Sequence, residues 1–466
     1  MLFSKDKLNC FFLQLSSVLF AVLLSFSQEL DVDIITYLKV LVLTQYIIST
    51  YSNFIINRWI YNAYGIFLSL FFVFILSRVL LDLIGYSDFG QTSFFSSYIF
   101  DNSIQIKMLW TIYISLVSLN IGFLLNKKLS KYYIGSYSEA SQGEAYFGKL
   151  LVYIGFLPTL LKSLYLGYLV ARYGYLTIFL NPDLFRLPLI VSFLSMLFPI
   201  GFFLCHIGGI SDRRFMLFIN VLFFISIISE VFIGKRGPVL TQLLVLLWFF
   251  TYHYGTRISI KKLLIYAFIM ILGSQMALNF RTSGNKETPN ILLSFFHQQG
   301  VSVQLLGYAE RYEVDKYNDF SVFDLFRPIY QNIDMFYHKI SGVNYNFSPS
   351  ERMERYNNYS MIIANSTDSS KFDSGFGLGG SYLTESKLLL GFFGLIIVNI
   401  ILGYILSRVE YLSGRSNYIY GIFFLILPDI IYLPRSYLFE FANTQMRPVL
   451  LLLIILFTIN VLKKRS

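Results

Sequence analysis

Along this chain the sequence repeatedly runs apolar for about twenty residues, the length an α-helix needs to cross a bilayer. The stretches are 8–26, 34–52, 63–85, 106–126, 148–171, 187–210, 215–233, 238–256, 261–280, 386–407, 417–437 and 447–462. Only 14% of the residues are charged and 55% are hydrophobic, whereas a soluble globular protein is roughly a quarter charged. A soluble enzyme, a disordered chain and a collagen-like fibre are excluded together. Both cysteines, Cys10 and Cys205, lie inside apolar runs, so neither a disulfide framework nor a cysteine zinc site is expected. The sequence predicts an all-α integral membrane protein of about 12 transmembrane helices. Lys5 and Lys7 precede the first run but no small-residue cleavage site follows it, so that run reads as an uncleaved anchor.

Lys and Arg in the loops set the expected orientation. With a cytoplasmic N-terminus and alternating spans, the inner loops hold roughly twice as many cations as the short outer ones. Both termini then fall on the cytoplasmic side of the membrane. Positive-inside topology and anionic lipid account for the net charge of +10 without a nucleic-acid partner. Residues 281–380 form one large outer loop between a nine-helix region, 1–280, and a three-helix region, 381–466. The loop carries His297 and His338, two of the four histidines, and an aromatic-rich segment, 320–338, suited to lie as amphipathic helices on the membrane surface. Loops of this length without a core of their own are usually functional.

Cations on the outer side run against topogenesis, so each needs a reason. Gly234-Lys235-Arg236-Gly237-Pro238 sits between two apolar spans with almost no loop. Pro238 suits the first turn of the next helix, whose N-terminus adds about half a positive charge. The glycines let backbone N–H groups approach an anion. Lys235, Arg236 and Gly237 therefore read as a phosphate or pyrophosphate cradle; the plainer account is snorkelling to the headgroups. Arg281 ends the ninth span near the same face, as a second cation for the cradle or as a membrane-end anchor. Arg435 and Arg447 bracket the last outer loop beside Glu440, where a structural pair is the simpler reading. His297-Gln298-Gln299-Gly300 offers an imidazole and amides suited to sugar hydroxyls or proton transfer. Glu385 heads an apolar helix next to Lys387, a costly carboxylate unless paired or used, and Lys162 sits in mid-span. No nucleotide, nicotinamide, serine-hydrolase or zinc-protease motif is present, and no metal-ligand spacing, so neither cofactor nor metal is expected.

The layout, with the GKRGP hairpin, NFRTSG ending a span, HQQGVS, and GGSYLTE re-entering the membrane, resembles the Wzy-type O-antigen polymerases. The resemblance implies a GT-C-like membrane fold with one large periplasmic loop. It implies transfer of a growing chain from undecaprenyl pyrophosphate onto a new lipid-linked repeat, without a metal, with Arg236 and Arg281 on the pyrophosphates. A chain-length regulator is the partner it brings. Glu385 and then His297 are the candidates for the base that takes the acceptor proton. Gln299, Gly300, Tyr382 and Arg435 join Lys235 and Gly237 as substrate-binding candidates. Two alternatives stand: a flippase for the same lipid-linked repeats, argued against by the lack of two similar halves with short loops, and an O-antigen ligase, which needs the same cradle.

Overall fold

The computed structural model describes residues 5–26, 33–57, 61–92, 98–126, 142–185, 187–234, 236–255, 259, 261, 290–313, 320–341 and 347–463. The first eight long helices are α1 (Lys5–Phe26), α2 (Ile34–Asn57), α3 (Ala63–Leu83), α4 (Asn102–Leu124), α5 (Gln142–Tyr173), α6 (Leu189–Ile207), α7 (Arg213–Ser229) and α8 (Arg236–Tyr254). Five shorter helices follow: α9 (Ile291–Gln299), α10 (Gln304–Arg311), α11 (Arg327–Ser341), α12 (Pro349–Tyr356) and α13 (Tyr359–Thr367). The chain ends with α14 (Tyr382–Leu406), α15 (Asn417–Tyr432), α16 (Glu440–Thr444) and α17 (Met446–Lys463). Among the described residues, 9 helices are long and apolar enough to cross a membrane. Helices α8 and α17 fall on the eighth and last predicted stretches; residues 262–280 of the ninth lie outside the described residues. The strands described are one two-residue antiparallel pair, Gln91–Thr92 with Tyr98–Ile99.

Helices form because backbone polar groups in lipid must be satisfied within their own segment. Their packing follows small residues, as expected where lipid is as apolar as the side chains. A Cβ on Gly122 of α4 would fall 2.1 Å from the Ile400 carbonyl of α14, and one on Gly403 would fall 2.0 Å from that of Leu119. Only glycine lets those two backbones come so near. Buried polar side chains stitch the N-terminal helices: Gln14 and Gln45 exchange hydrogen bonds at 2.8 and 3.1 Å, and Asn120 donates to Gln14 at 2.7 Å. A π-helical turn, Phe72–Leu76, interrupts α3 immediately before Ser77 and Arg78. Such turns alter helical phase and often mark functional positions.

Helices α9–α13 pack on one end of the bundle, where α3 and α15 finish and α4, α8 and α14 begin. Ser77 donates to the Phe296 carbonyl at 3.1 Å, Gln304 to that of Gln91 at 2.9 Å, and Asn332 to that of Ala442 at 3.1 Å. Helices α11 and α12 are clasped by a bidentate Arg355–Asp334 pair at 2.7 and 3.0 Å, which holds the Asp334 carboxyl below the usual carboxylate range. Helix α11 turns Ile333, Tyr337 and Ile340 outward.

Candidate active site

Three arginines from three helix ends gather at the covered end of the bundle. Arg236 opens α8, as the GKRGP pattern predicts, after Gly234 turns the chain in the left-handed region at φ +86. Pro238 occupies the first turn, so the positive end of the helix dipole and the guanidinium stand together. Arg435 closes the 3₁₀ turn after α15, and Tyr432, three residues before it, meets the first turn of α8 at Gly237, next to Arg236. The Arg435 guanidinium donates to the Gln299 carbonyl at 3.2 Å and to its side-chain oxygen at 2.9 Å. Arg78, 1% exposed, donates through Nε to the His297 carbonyl at 2.9 Å. Gln299, Gly300 and His297 are thus held between Arg78 and Arg435. Burial, with the nearby Arg78, holds the His297 imidazole down at about 4, so it is neutral at neutral pH.

The glycines serve packing more directly than backbone approach to an anion. A Cβ on Gly237 would lie 2.4 Å from the Tyr432 hydroxyl oxygen, and one on Gly300 2.6 Å from Ser77 Oγ. Tyr432 in turn packs edge-on against Phe74, 5.4 Å between centroids, and the Arg435 guanidinium lies 5.7 Å from the Phe74 ring. Aromatic rings therefore wall the cationic cluster.

Glu385 lies elsewhere on this end. Its Oε1 accepts from Arg327 Nη2 at 3.1 Å and its Oε2 from the Leu438 N–H at 2.7 Å, with the two side chains 3% and 2% exposed. The Arg327 guanidinium also stacks over Tyr437 at 4.8 Å. Both carboxylate oxygens are engaged, the arrangement of a brace between the 290–380 helices and α14. Tyr382 is wholly buried and gives its hydroxyl to Asn399 at 2.8 Å, away from the arginines. Arg447 bonds Asn332 rather than Glu440. Lys235 and Arg281 lie outside the described residues.

Two groups at this end are ones that sequence reasoning misses. Arg78 is visible as a charge inside an apolar span, a functional signal in itself, and only its contact with the HQQG turn is hidden. Glu440, half-buried at the start of α16, accepts a hydrogen bond from Asn443 at 3.3 Å, and burial pushes its carboxyl up to about 7. A carboxylate titrating near neutrality is matched to proton transfer at physiological pH. Among the described residues no group of three His, Cys, Asp or Glu side chains is placed to hold a metal ion.

An all-helical bundle with, among the described residues, 9 helices long and apolar enough to cross a membrane, and with arginines gathered at one end, has the make-up of an integral membrane protein. The sequence model of the O-antigen polysaccharide polymerase Wzy family matches residues 9–466, nearly the whole chain, and the protein belongs to that family. Membership makes it an O-antigen polymerase of the membrane, acting on a lipid-linked oligosaccharide. No curated protein and no solved structure matched the sequence.

Proposed function

We propose that the protein polymerises undecaprenyl-pyrophosphate-linked repeat units at the periplasmic face of the inner membrane, on a GT-C-like scaffold. The observation that carries this reading is the meeting of the start of α8, which Arg236 opens, with Tyr432 at the end of α15, one turn before Arg435, which also grips Gln299. As the glycosidic bond breaks, negative charge grows on the departing pyrophosphate. Arginines preorganised in a water-poor site stabilise that charge more strongly than water does. Arginine stays charged and binds phosphate as a bidentate fork, so the arginines take the role a metal has in other transferases. Arg281, at the end of the preceding predicted span, joins them in this reading. Gln299 and Gly300 shape the floor and Arg78 props it from beneath.

The acceptor hydroxyl needs a base, a contribution of about 10²–10⁴-fold. Glu385 is spent on Arg327 and Leu438, and His297 is held too weakly basic at about 4. We assign the role to Glu440, which opens the short helix between α15 and α17, accepts from Asn443 at 3.3 Å and has its carboxyl raised by burial to about 7.

The test is a lipopolysaccharide ladder in a deletion strain complemented with variants. Arg236→Ala and Arg435→Ala are expected to leave core bearing a single repeat, with the protein inserted normally. Arg435→Lys stays impaired, because a point charge does not replace the fork. A full ladder from both alanine variants refutes the arginine cradle. Core with no repeat in the deletion strain would favour a flippase or a ligase instead. Activity of the purified protein is expected to persist under chelation of divalent metals.

A further inference from the structure

A second cationic recess lies on the same end of the bundle, on the seam of α4, α10 and α14. It encloses about 280 Å³ and is lined by Lys107, Glu310, Thr384, Lys387, Gly391 and Phe392 among others. Helix α14 is broken here, with Leu390 at φ −141, ψ 21 and Gly391 at φ 60, ψ −151. That conformation favours glycine. A Cβ on Gly391 would meet nothing within 4 Å, so the glycine serves the backbone turn rather than packing. Beyond the break a fresh helical segment begins at Phe392, and its first N–H groups lack partners within the helix. Irregular backbone at membrane depth persists where it lines a cavity.

Side chains make this recess more than a helix terminus. Thr384 is one of the lining residues and is 1% exposed, and its buried hydroxyl has no hydrogen-bond partner. A buried hydroxyl without a partner is costly, which a ligand acceptor would relieve. Lys387 pairs with Glu310 and donates to Thr111 at 3.1 Å, while Lys107 reaches Glu310 at 3.3 Å. Two ammonium groups thus share one carboxylate, leaving a net positive charge. The Lys107 side chain is 60% exposed and open to an incoming group. Leu390 and Phe393, 50% and 69% exposed, flank the break with apolar surface.

We propose that this recess binds the phosphate of a phosphate-bearing lipid, with Lys107 and Lys387 on the phosphate oxygens, Thr384 Oγ donating, and the chain lying along Leu390 and Phe393. The site is separate from the arginine cluster and stands without the polymerase reading.

The test uses the full chain in detergent and native mass spectrometry with three probes: undecaprenyl pyrophosphate, phosphatidylglycerol and phosphate-free diacylglycerol. Binding is read in an Arg236→Ala/Arg435→Ala background, which weakens the other cluster, and each further variant is compared with that background. We expect at least one phosphate-bearing lipid to be retained and diacylglycerol to be lost. Adding Lys107→Gln or Lys387→Gln should weaken retention about tenfold or more, the loss of one charge-assisted hydrogen bond. Thr384→Val, which keeps the side-chain volume, should weaken retention several-fold without lowering the melting temperature. Loss confined to undecaprenyl pyrophosphate identifies a carrier-lipid site; equal loss of phosphatidylglycerol identifies a general headgroup site; both uphold the proposal. Unchanged retention in Lys107→Gln and Thr384→Val, or diacylglycerol binding as well as the phosphate lipids, overturns it. Lys107 is exposed and Thr384→Val conserves shape, so neither outcome depends on Lys387→Gln folding.

Discussion

Removing Arg327 is the sharpest test of what Glu385 does. In Arg327→Met the Glu385 carboxylate keeps the Leu438 N–H at 2.7 Å but loses the guanidinium at 3.1 Å, at a site where both side chains are at most 3% exposed. Stripping one partner from a buried ion pair costs about 3–5 kcal/mol, a large share of the 5–15 kcal/mol that typically holds a domain together. At about 2–4 °C per kcal/mol for mid-sized soluble domains, the melting temperature should fall by about 10 °C. The double variant Arg327→Met/Glu385→Gln removes both charges yet leaves Leu438 an acceptor. It should recover most of the loss, short of the stacking of Arg327 over Tyr437, about 0.5–2 kcal/mol. The assay is size-exclusion chromatography of detergent-solubilised protein after heating, with the lipopolysaccharide ladder scored in parallel. A wild-type melting temperature in Arg327→Met refutes the brace. A double variant no better than the single refutes the uncompensated charge as the cause. A double variant that is stable but makes no polymer would return Glu385 to the chemistry; we expect polymer.

Two further outcomes follow from the arginine cluster and its surroundings. Gly237→Ala drives a methyl to 2.4 Å from the Tyr432 oxygen and 2.7 Å from its ring; the overpacking should cost about 1–3 kcal/mol in the same melting assay. Tyr432→Phe removes the nearer atom and should restore part of that stability, and no rescue at all would refute the contact. Glu440 acts as a base only when unprotonated, so with its carboxyl at about 7 the turnover of purified protein should rise as pH climbs through neutrality and then level. Glu440→Gln should be slower by about 10²–10⁴-fold with that rise gone. A variant that keeps the rise assigns the base elsewhere.

Whatever depends on local composition was legible along the chain. Apolar stretches of bilayer length had to become helices, because lipid offers the backbone no other partner. Arg236 had to open a helix, because Pro238 follows it and Gly234 permits the left-handed turn before it. The expense of Glu385 at the head of an apolar helix was equally legible, and so was the family resemblance. Partnerships needed the tertiary structure. Arg435 and Gln299 are 136 residues apart, and nothing local to either points to the other. Arg327 meets Glu385 across 58 residues, from a segment whose alternation of charge and aromatics reads as a surface helix. The carboxyl of Glu440 titrates near neutrality because the fold buries it, and burial is a property of neighbours rather than of spacing. Likewise Thr384 and Gly391 look ordinary in sequence, and only the packing of α4 and α10 against α14 places them around a shared cavity. Span ends are short, and their register against one another is set by how glycines such as Gly122 and Gly403 let the helices pack. That packing, more than any motif, decided which charges meet.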